Sequence, residues 1–316
     1  MRDFVPLFRN PHLQTLAGHF WPRPESRSYP AAERLYNTAP GVRVMVEEQS
    51  PAAPRGDVVL VHGLEGSGES GYMRGAARLA LEAGFRAHRF HMRTCGGTER
   101  LSQTLYHSGL TSDVAAVVRE LGRPVYLAGF SLGGNVALKL AGELGEGARE
   151  LIRGICAVST PLDLAACSRR LGRLENRVYE MRFLRKMRSR LLATGRYTRA
   201  DFHGIRSIIA FDERITAPAF GFRGAQHYYE TQSSARFLEG IRVPTLLLQA
   251  QDDPLVPFEL FRRPVLTENP WLTLHATPHG GHLGFLARGR PRFWAETAVI
   301  EWFLRLEGTN RGVPPS

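Results

Sequence analysis

The sequence predicts an α/β protein built on a mostly parallel sheet that helices cover on both faces. Short β-branched runs such as "VVLV" have the composition of strands buried on both faces. Helical stretches separate these runs, and strands that alternate with helices indicate parallel pairing. One connection, from Thr160 to Ile241, holds roughly 80 residues, whereas a parallel crossover needs only about a dozen or more. We therefore expect a helical insertion at this connection.

Each expected element follows from a local pattern. The alternation of "VRVMVEE" predicts an edge strand over Val42–Glu48. Further apolar runs predict strands over Val58–Gly63, Phe85–Arg93, Pro124–Phe130, Ile152–Thr160, Ile241–Ala250 and Trp271–Thr277. Amphipathic stretches, several of which end at a glycine, predict helices over Met73–Gly84, Thr111–Gly122, Asn135–Leu144, Val178–Ala193 and Arg292–Gly308.

These elements divide the chain into one domain with an insertion. Residues 40–163 and 238–308 are expected to form the core of the domain. Residues 164–237 are expected to form a helical cap, or lid, at the carboxyl end of a strand, where open α/β sheets bind ligands. Residues 1–39 are expected to form an N-terminal extension that packs on the core.

Composition excludes several classes of protein. Of the 316 residues, 43% are hydrophobic, and no apolar run approaches the ~20 residues that span a bilayer. The first residues lack the continuous apolar segment of a signal peptide. Cys95, Cys156 and Cys167 are odd in number and match no zinc spacing. The sequence thus favours a cytoplasmic protein without a disulfide framework, a structural metal or an organic cofactor.

The stretch "GFSLGG" places Ser131 between a predicted strand and a predicted helix. This fits G-x-S-x-G, in which the serine is a nucleophile on a strained turn. Gly129 and Gly133 occupy the positions where side chains would collide with the neighbouring strand and helix. The alternative is a glycine-rich turn whose serine is merely polar. The strand and helix around the motif favour the nucleophile.

A serine nucleophile needs a base and an acid that orients the base. Two candidate acids, Asp252 and Asp253, follow one predicted strand, and two candidate bases, His279 and His282, follow the next. Both pairs therefore lie at the sheet edge that carries the serine. The spacing alone leaves Asp252 and Asp253 as alternatives, and Asp252 would otherwise be a turn residue. The glycines of "HGGH" favour His282, which leaves His279 as a solvated or supporting histidine.

An oxyanion hole needs two N–H donors. Leu132, the residue after the nucleophile, is expected to supply one of them. The loop "HGLEGSG" after "VVLV" is expected to supply the other from the backbone of Leu64. His62, which precedes this position, is expected to be a packed loop residue rather than a catalytic one.

Motifs along most of the chain point to one family. They are "NPHLQT", "HGLEGSGES", "YHSGLTSD", "GFSLGGN", "ITAPAFGFRGAQHYY", "AQDDP" and "HGGHLGF". Together they resemble the α/β-hydrolase superfamily and, within it, the AB hydrolase 4 family of serine esterases. The chain departs from that family's R-G-C-S-G over Arg93–Gly97. The sequence assigns no role to Asn10, His12 and Gln14.

The resemblance implies a carboxylesterase or an acylglycerol lipase or phospholipase that acts on an ester with an acyl chain. The loop "DPLVP" resembles the D-x-x-V-P loop of the superfamily, which favours Asp253 over Asp252 as the acid. Ser131, His282 and Asp253 would then act through an acyl-enzyme that water hydrolyses. Two alternatives stay open at this stage. One is acyl transfer to another acceptor by the same residues, and the other is a lipid-binding protein with idle catalytic residues.

Most of the net charge of +11 lies in one segment. Arg169–Arg199 carries ten arginines and one lysine against two acids. A solvated cap face, with arginine side chains lying over apolar surface, is the favoured interpretation. Peripheral contact with an anionic membrane is the second, because basic amphipathic helices lie at such interfaces. Nucleic acid is not favoured, since no recognised binding module accompanies the charge.

Overall fold

The computed structural model describes residues 3–24 and 29–309. Their strands form one eight-stranded sheet with the order β1-β2-β4-β3-β5-β6-β7-β8. The strands are β1 (Ala32–Ala39), β2 (Val42–Gln49), β3 (Asp57–Val61), β4 (Arg86–Phe90), β5 (Val125–Phe130), β6 (Ile152–Val158), β7 (Thr245–Ala250) and β8 (Leu272–Thr277). β1 and β2 pair antiparallel, as do β2 and β4, and the remaining pairs are parallel. The predicted α/β class is confirmed.

One expectation about the sheet is wrong. Val42–Gln49 does form a strand, but the edge strand on that side is β1, which sequence analysis placed in an N-terminal extension. β1 is mostly exposed and buries only Tyr36, so its sequence lacks the apolar alternation that reveals a strand. Its pairing follows instead from a tight turn at Gly41, whose φ of 67° favours glycine.

The helices form two layers and an insertion. Their bounds are α1 (Pro11–Phe20), α2 (Gly71–Glu82), α3 (Ser112–Glu120), α4 (Leu132–Leu144), α5 (Leu164–Leu171), α6 (Arg177–Ala193), α7 (Ile208–Phe211), α8 (Ala217–Ala219), α9 (Ala225–Gln232), α10 (Val265–Glu268) and α11 (Trp294–Thr309). α3, α4 and α10 share one apolar core with the sheet, and α2 and α11 share the core on its other face. Among the described residues, no helix is long and apolar enough to cross a bilayer.

Helices α5 to α9 lie between β6 and β7, in the segment for which a cap was predicted. They have an apolar cluster of their own, which includes Leu184, Leu191 and Phe211 and rests on Leu105 and Leu255 of loops that follow β4 and β7. One turn of π-helix, Asp212–Thr216, joins α7 to α8. The insertion thus packs on the loops at the carboxyl ends of the parallel strands.

Candidate active site

Ser131 lies between β5 and α4 in a conformation that side-chain-bearing residues rarely adopt, with φ 52° and ψ −120°. Such backbone strain costs on the order of 1–3 kcal/mol and is concentrated at functional sites. A Cβ atom on Gly129 would lie 2.3 Å from the carbonyl oxygen of Gly133. A Cβ atom on Gly133 would lie 2.2 Å from the carbonyl oxygen of Val61. Both glycines are therefore required for the turn that presents the serine.

Ser131, His282 and Asp253 form a continuous chain of hydrogen bonds. The distance from Ser131 Oγ to His282 Nε2 is 2.9 Å, and the distance from His282 Nδ1 to Asp253 Oδ2 is also 2.9 Å. Asp253 is buried, and its Oδ1 accepts the backbone N–H groups of Leu255 and Val256 at 2.8 and 3.0 Å. With the carboxylate held as an acceptor, the His282 Nδ1–H donates to it and Nε2 is left to accept the serine proton.

Asp252 and His279, the alternative acid and base, pair with each other outside this chain. The distance from His279 Nδ1 to Asp252 Oδ2 is 3.0 Å. Asp252 Oδ1 also accepts the backbone N–H of Gly281 at 2.9 Å. The two residues therefore brace the loop that carries His282.

The two expected oxyanion donors, Leu132 at the start of α4 and Leu64 in the loop after β3, lie in segments that meet at Ser131. Leu132 is the first residue of α4, where an N–H has no acceptor within the helix. Leu64 follows Gly63, and a Cβ atom on Gly63 would lie 2.9 Å from the Cβ of Ser131. Leu64 and Leu132 line the same cavity as Ser131 and His282. The geometry therefore allows both N–H groups to face an ester bound at the serine.

His62 is a buried structural residue of the first of these loops. Its Nδ1–H donates to the carbonyl of Gly63 at 2.7 Å, and its Nε2 accepts the N–H of Met92 at 3.1 Å. Burial lowers its pKa to about 3, so the ring is neutral at physiological pH. It fixes the loop but takes no part in the hydrogen-bonded chain.

A buried ion pair joins the cap to the Leu64 loop. Arg190 of α6 lies with Nη2 2.9 Å from Glu65 Oε1, and the two side chains are 8% and 3% exposed. Arg190 Nη1 also donates to Thr94 Oγ1 at 2.6 Å. Thr94 belongs to the segment Arg93–Gly97, where the chain departs from the family pattern. This segment therefore contacts the cap rather than the hydrogen-bonded chain of Ser131.

The N-terminal motif supports the His282 loop, a role that the sequence did not reveal. Asn10 caps α1 by accepting the N–H groups of His12 and Leu13. Gln14 is fully buried and donates to the carbonyls of Gly284 and Leu286, at 2.9 and 2.8 Å. His12 lies 3.2 Å from the hydroxyl of Tyr179 in α6. The signal that could have revealed this role is the buried polar Gln14, whose amide needs specific partners.

Two cavities meet at Ser131. The first, the apolar cavity, has a volume of about 110 Å³ and a mainly apolar lining. The second, the polar cavity, has a volume of about 490 Å³; its lining is more polar and includes Arg23, Arg182 and Lys186. Ser131, His282, Leu64 and Phe183 line both. The apolar side chains that line the first include Leu132, Leu164, Leu171, Met187, Ile208 and Phe211. An ester bound at the serine would thus have separate spaces for its two halves.

The apolar cavity also carries polar groups from the cap and the core. Asp212, in the π-helical turn, accepts hydrogen bonds from Tyr229 Oη at 2.6 Å and Thr216 Oγ1 at 2.7 Å. Its burial raises its pKa to about 6. His107 also lines this cavity, and burial, together with the positive charges of Lys139 and Arg93, lowers its pKa to about 3. Nothing in the sequence indicated a role for either residue.

The fold and the arrangement around Ser131 define the α/β-hydrolase class. The family model described as "Alpha/beta hydrolase family" matches residues 58–297. The chain belongs to this family, which confirms the resemblance found in its motifs.

Several relatives are similar over most of the chain. The Escherichia coli protein YheT, which carries the name of an esterase, is 32% identical over 95% of this chain and 92% of its own length. A monoacylglycerol lipase of Saccharomyces cerevisiae is 31% identical over 82% of this chain and 61% of its own length. Phospholipase ABHD3 of Mus musculus is 30% identical over 76% of this chain and 61% of its own length. The chain therefore spans about three fifths of the length of these two eukaryotic relatives.

Solved structures show the same fold. The esterase Pf2001 of Pyrococcus furiosus superposes with a TM-score of 0.60 at 18% identity, over 96% of this chain and 99% of its own. Est1E of Butyrivibrio proteoclasticus, solved with ferulic acid, superposes with a TM-score of 0.59 at 16% identity, over 87% of this chain and 99% of its own. At this identity the likeness concerns the fold alone.

Proposed function

We propose that the protein hydrolyses carboxylic esters through an acyl-enzyme on Ser131. The observation that carries this proposal is the hydrogen-bonded chain from Ser131 through His282 to the buried Asp253, with both links at 2.9 Å, beside an apolar cavity. The names of the relatives, which include an esterase, a monoacylglycerol lipase and a phospholipase, support an ester of a fatty acid as the substrate.

The first half of the reaction forms the acyl-enzyme. Ser131 Oγ attacks the ester carbonyl carbon while its proton passes to His282 Nε2. The backbone N–H groups of Leu64 and Leu132 donate to the oxyanion of the tetrahedral intermediate. The C–O bond to the alcohol then breaks, and the alcohol leaves with the proton from Nε2. Asp253 holds the imidazole in position and stabilises its positive charge throughout.

The second half releases the acid. A water molecule gives a proton to His282 Nε2 as its oxygen attacks the acyl carbon. The bond to Ser131 Oγ breaks and the serine recovers the proton, which leaves a carboxylic acid and the free enzyme. The apolar cavity would hold the acyl chain during both steps, because its mainly apolar lining removes the chain from water.

Initial rates on p-nitrophenyl esters from acetate to palmitate test this function. Wild-type protein is expected to release p-nitrophenol, and Ser131→Ala is expected to lose at least about 10³-fold in kcat. Ser108→Ala is a suitable control, because Ser108 lines the apolar cavity without joining the hydrogen-bonded chain. Equal rates for the wild type and Ser131→Ala would contradict the proposal. Faster turnover with added alcohol, and an ester product, would indicate acyl transfer.

The basic cap also supports contact with an anionic membrane surface. α1 and α6 lie side by side, joined by His12 and Tyr179, and both expose apolar side chains. Phe20 is 65% and Val178 is 76% exposed, and the polar cavity that reaches Ser131 is lined by α1 and α6. The basic side chains match anionic lipid headgroups, and the apolar ones match the acyl boundary below them.

Sedimentation with lipid vesicles tests this contact. Binding is expected with vesicles that contain phosphatidylglycerol, to weaken with salt, and to weaken further in the double variant Phe20→Ser/Val178→Ser. Leu35→Ser is the matched control, since Leu35 is an exposed apolar residue of β1. Binding that is independent of both lipid charge and these substitutions would contradict the proposal.

A further inference from the structure

We propose that the polar cavity beside Ser131 binds a phosphate group on the alcohol half of the substrate. The protein would then hydrolyse acyl esters of phosphorylated alcohols, an inference that rests on the proposed function. Arg182 and Lys186 of α6 line this cavity together with Ser131 and His282. Within residues 3–24 and 29–309, no carboxylate lies in ion-pair distance of either cation.

The contacts of these two cations leave their charges uncompensated. Arg182 Nη2 donates to Nε2 of His19 at 2.6 Å, and its guanidinium lies 5.6 Å from the centre of the Phe20 ring. Lys186 Nζ makes one long contact, 3.4 Å, to the backbone carbonyl of Glu65. Arg182 and Lys186 are four residues apart on one helix, where like charges repel each other. An anion between them would relieve this repulsion.

His19 contributes a hydrogen-bonding group rather than a third charge. His19 is exposed at its outer side, and its partial burial and the nearby charges of Arg182 and Lys186 lower its pKa, which suits a neutral ring that accepts from Arg182. Its other ring nitrogen then carries a proton. The cluster therefore combines two positive charges with an N–H donor.

The carboxylates of the cavity are already paired with other cations. Glu65 is paired with Arg190 at 2.9 Å. Glu69 is paired with Arg89, which it shares with Glu47, and with Arg74 at 3.9 Å. A third lining cation, Arg23, is neutralised by Glu296 at 2.8 Å. What remains is the Arg182–Lys186 pair, whose charge matches that of a phosphate monoester dianion. A guanidinium also binds phosphate through two parallel hydrogen bonds, which favours phosphate over a single negative charge.

The arrangement of the two cavities fixes the orientation of such a substrate. A phosphate in the apolar cavity would lose its hydration without matching partners there, which is costly. The acyl chain meets no such cost in that cavity. With the ester carbonyl at Ser131, the acyl half would occupy the apolar cavity and the phosphorylated alcohol the polar one.

Two substrates that differ only in the phosphate test the inference. The experiment measures kcat/KM for 1-octanoylglycerol 3-phosphate and for 1-octanoylglycerol, in the wild type and in Arg182→Gln/Lys186→Gln. The ratio of kcat/KM for the phosphorylated ester to that for the neutral ester is expected to fall at least about tenfold in the double variant, because only the phosphorylated ester loses charged hydrogen bonds. Arg185→Gln is the matched control: Arg185 is exposed on the same helix, and the ratio should not change. An unchanged ratio in the double variant would overturn the inference.

Binding to the inactive protein separates this inference from the proposed function. Calorimetry with Ser131→Ala should give an affinity for 1-octanoylglycerol 3-phosphate about tenfold or more above that of Ser131→Ala/Arg182→Gln/Lys186→Gln. Equal affinities would overturn the subsite, whatever the hydrolysis rates. Inorganic phosphate alone should bind more weakly than the ester, and equally tight binding would instead indicate a site for free phosphate. If the wild type hydrolyses neither ester, the proposed function is contradicted. The comparison of binding affinities then still decides whether the phosphate subsite exists.

Discussion

The hydroxyl of Thr15, in the N-terminal helix α1, accepts a hydrogen bond from the backbone N–H of His282 at 2.9 Å. The same hydroxyl donates to the carbonyl of Pro11 at 2.7 Å, so its position is fixed by α1 itself. Gly18 of the same helix packs so closely on Gly284 that a Cβ atom there would lie 2.6 Å from the Gly284 Cα. The N-terminal helix α1 therefore packs against the loop that carries His282, the proposed catalytic base, and holds that loop in position.

Thr15→Val is expected to lower kcat about tenfold without preventing folding. It leaves the partly buried N–H of His282 without its acceptor, which costs on the order of 1–3 kcal/mol, and it lets the imidazole move away from Ser131. Thr15→Ser keeps the hydroxyl and should retain most of the activity. Steady-state kinetics on a p-nitrophenyl ester check this, with Thr273→Val on the exposed side of β8 as the control. Full activity in Thr15→Val would show that α1 does not position the base.

Glu65→Gln is expected to reduce both stability and activity. It leaves the Arg190 guanidinium buried without its counter-charge, which typically costs about 3–5 kcal/mol, and it frees the loop that carries Leu64. Urea unfolding and kcat on the same preparation measure the two effects. Glu146→Gln is the control, since Glu146 and Arg149 form an exposed pair at 3.1 Å that should contribute at most about 1 kcal/mol. A Glu65 variant as stable as this control would refute the role of the pair.

His107 makes the folded state less stable in acid. Its pKa is lowered to about 3 in the folded protein, whereas the unfolded chain titrates near the ordinary value of about 6.5. Below pH 6.5 the unfolded state therefore binds a proton that the folded state does not. Binding of this proton lowers the free energy of unfolding by about 2 kcal/mol at pH 5, and the loss grows as the pH falls toward 3.

His107→Phe should remove this dependence. Between pH 7.5 and pH 5 the wild type is expected to lose about 2 kcal/mol more unfolding free energy than the variant. His203→Phe, at an exposed histidine, should follow the wild type. Chemical denaturation at the two pH values checks this, and parallel losses in the wild type and His107→Phe would contradict it.

The cap is expected to set the length of acyl chain that the enzyme accepts. Ile208 of α7 is buried and lines the apolar cavity, so Ile208→Trp should fill part of the space and shorten the optimal chain. Its neighbour Ile209 is 39% exposed and provides the matched control Ile209→Trp. The ratio of kcat/KM for decanoate to that for acetate should fall about tenfold or more in the first variant alone. Equal ratios in both variants would place the acyl chain elsewhere.

The sequence predicted most of the parallel sheet and the loops at its carboxyl edge, because these depend on local patterns. A strand buried on both faces needs a continuous apolar run, as in β3 and β5. The turn at Ser131 needs glycine at fixed offsets, since Gly129 and Gly133 would otherwise collide with backbone. Because β5, β7 and β8 end at the same edge of the sheet, the loops that carry Asp253 and His282 lie beside Ser131.

Features that rest on pairing between distant segments could not be predicted in this way. β1 is a strand because the edge of β2 offers it hydrogen bonds, while its own residues are mostly exposed and show no apolar alternation. The contact of Thr15 with His282 joins residues 267 positions apart, and that of Arg190 with Glu65 joins residues 125 apart. Nothing in the local sequence around any of these residues specifies its partner.

Covalent labelling shows whether Ser131 is an activated nucleophile. Diethyl p-nitrophenyl phosphate transfers its diethylphosphoryl group to an activated serine, which can be read by intact-protein mass spectrometry and peptide mapping. One group is expected to add to the wild type at Ser131, with loss of esterase activity. Ser131→Ala and His282→Ala are expected to stay unlabelled, because they lack the nucleophile or its base. Unlabelled wild-type protein that still hydrolyses esters, or a label on another residue that abolishes activity, would contradict this role of Ser131.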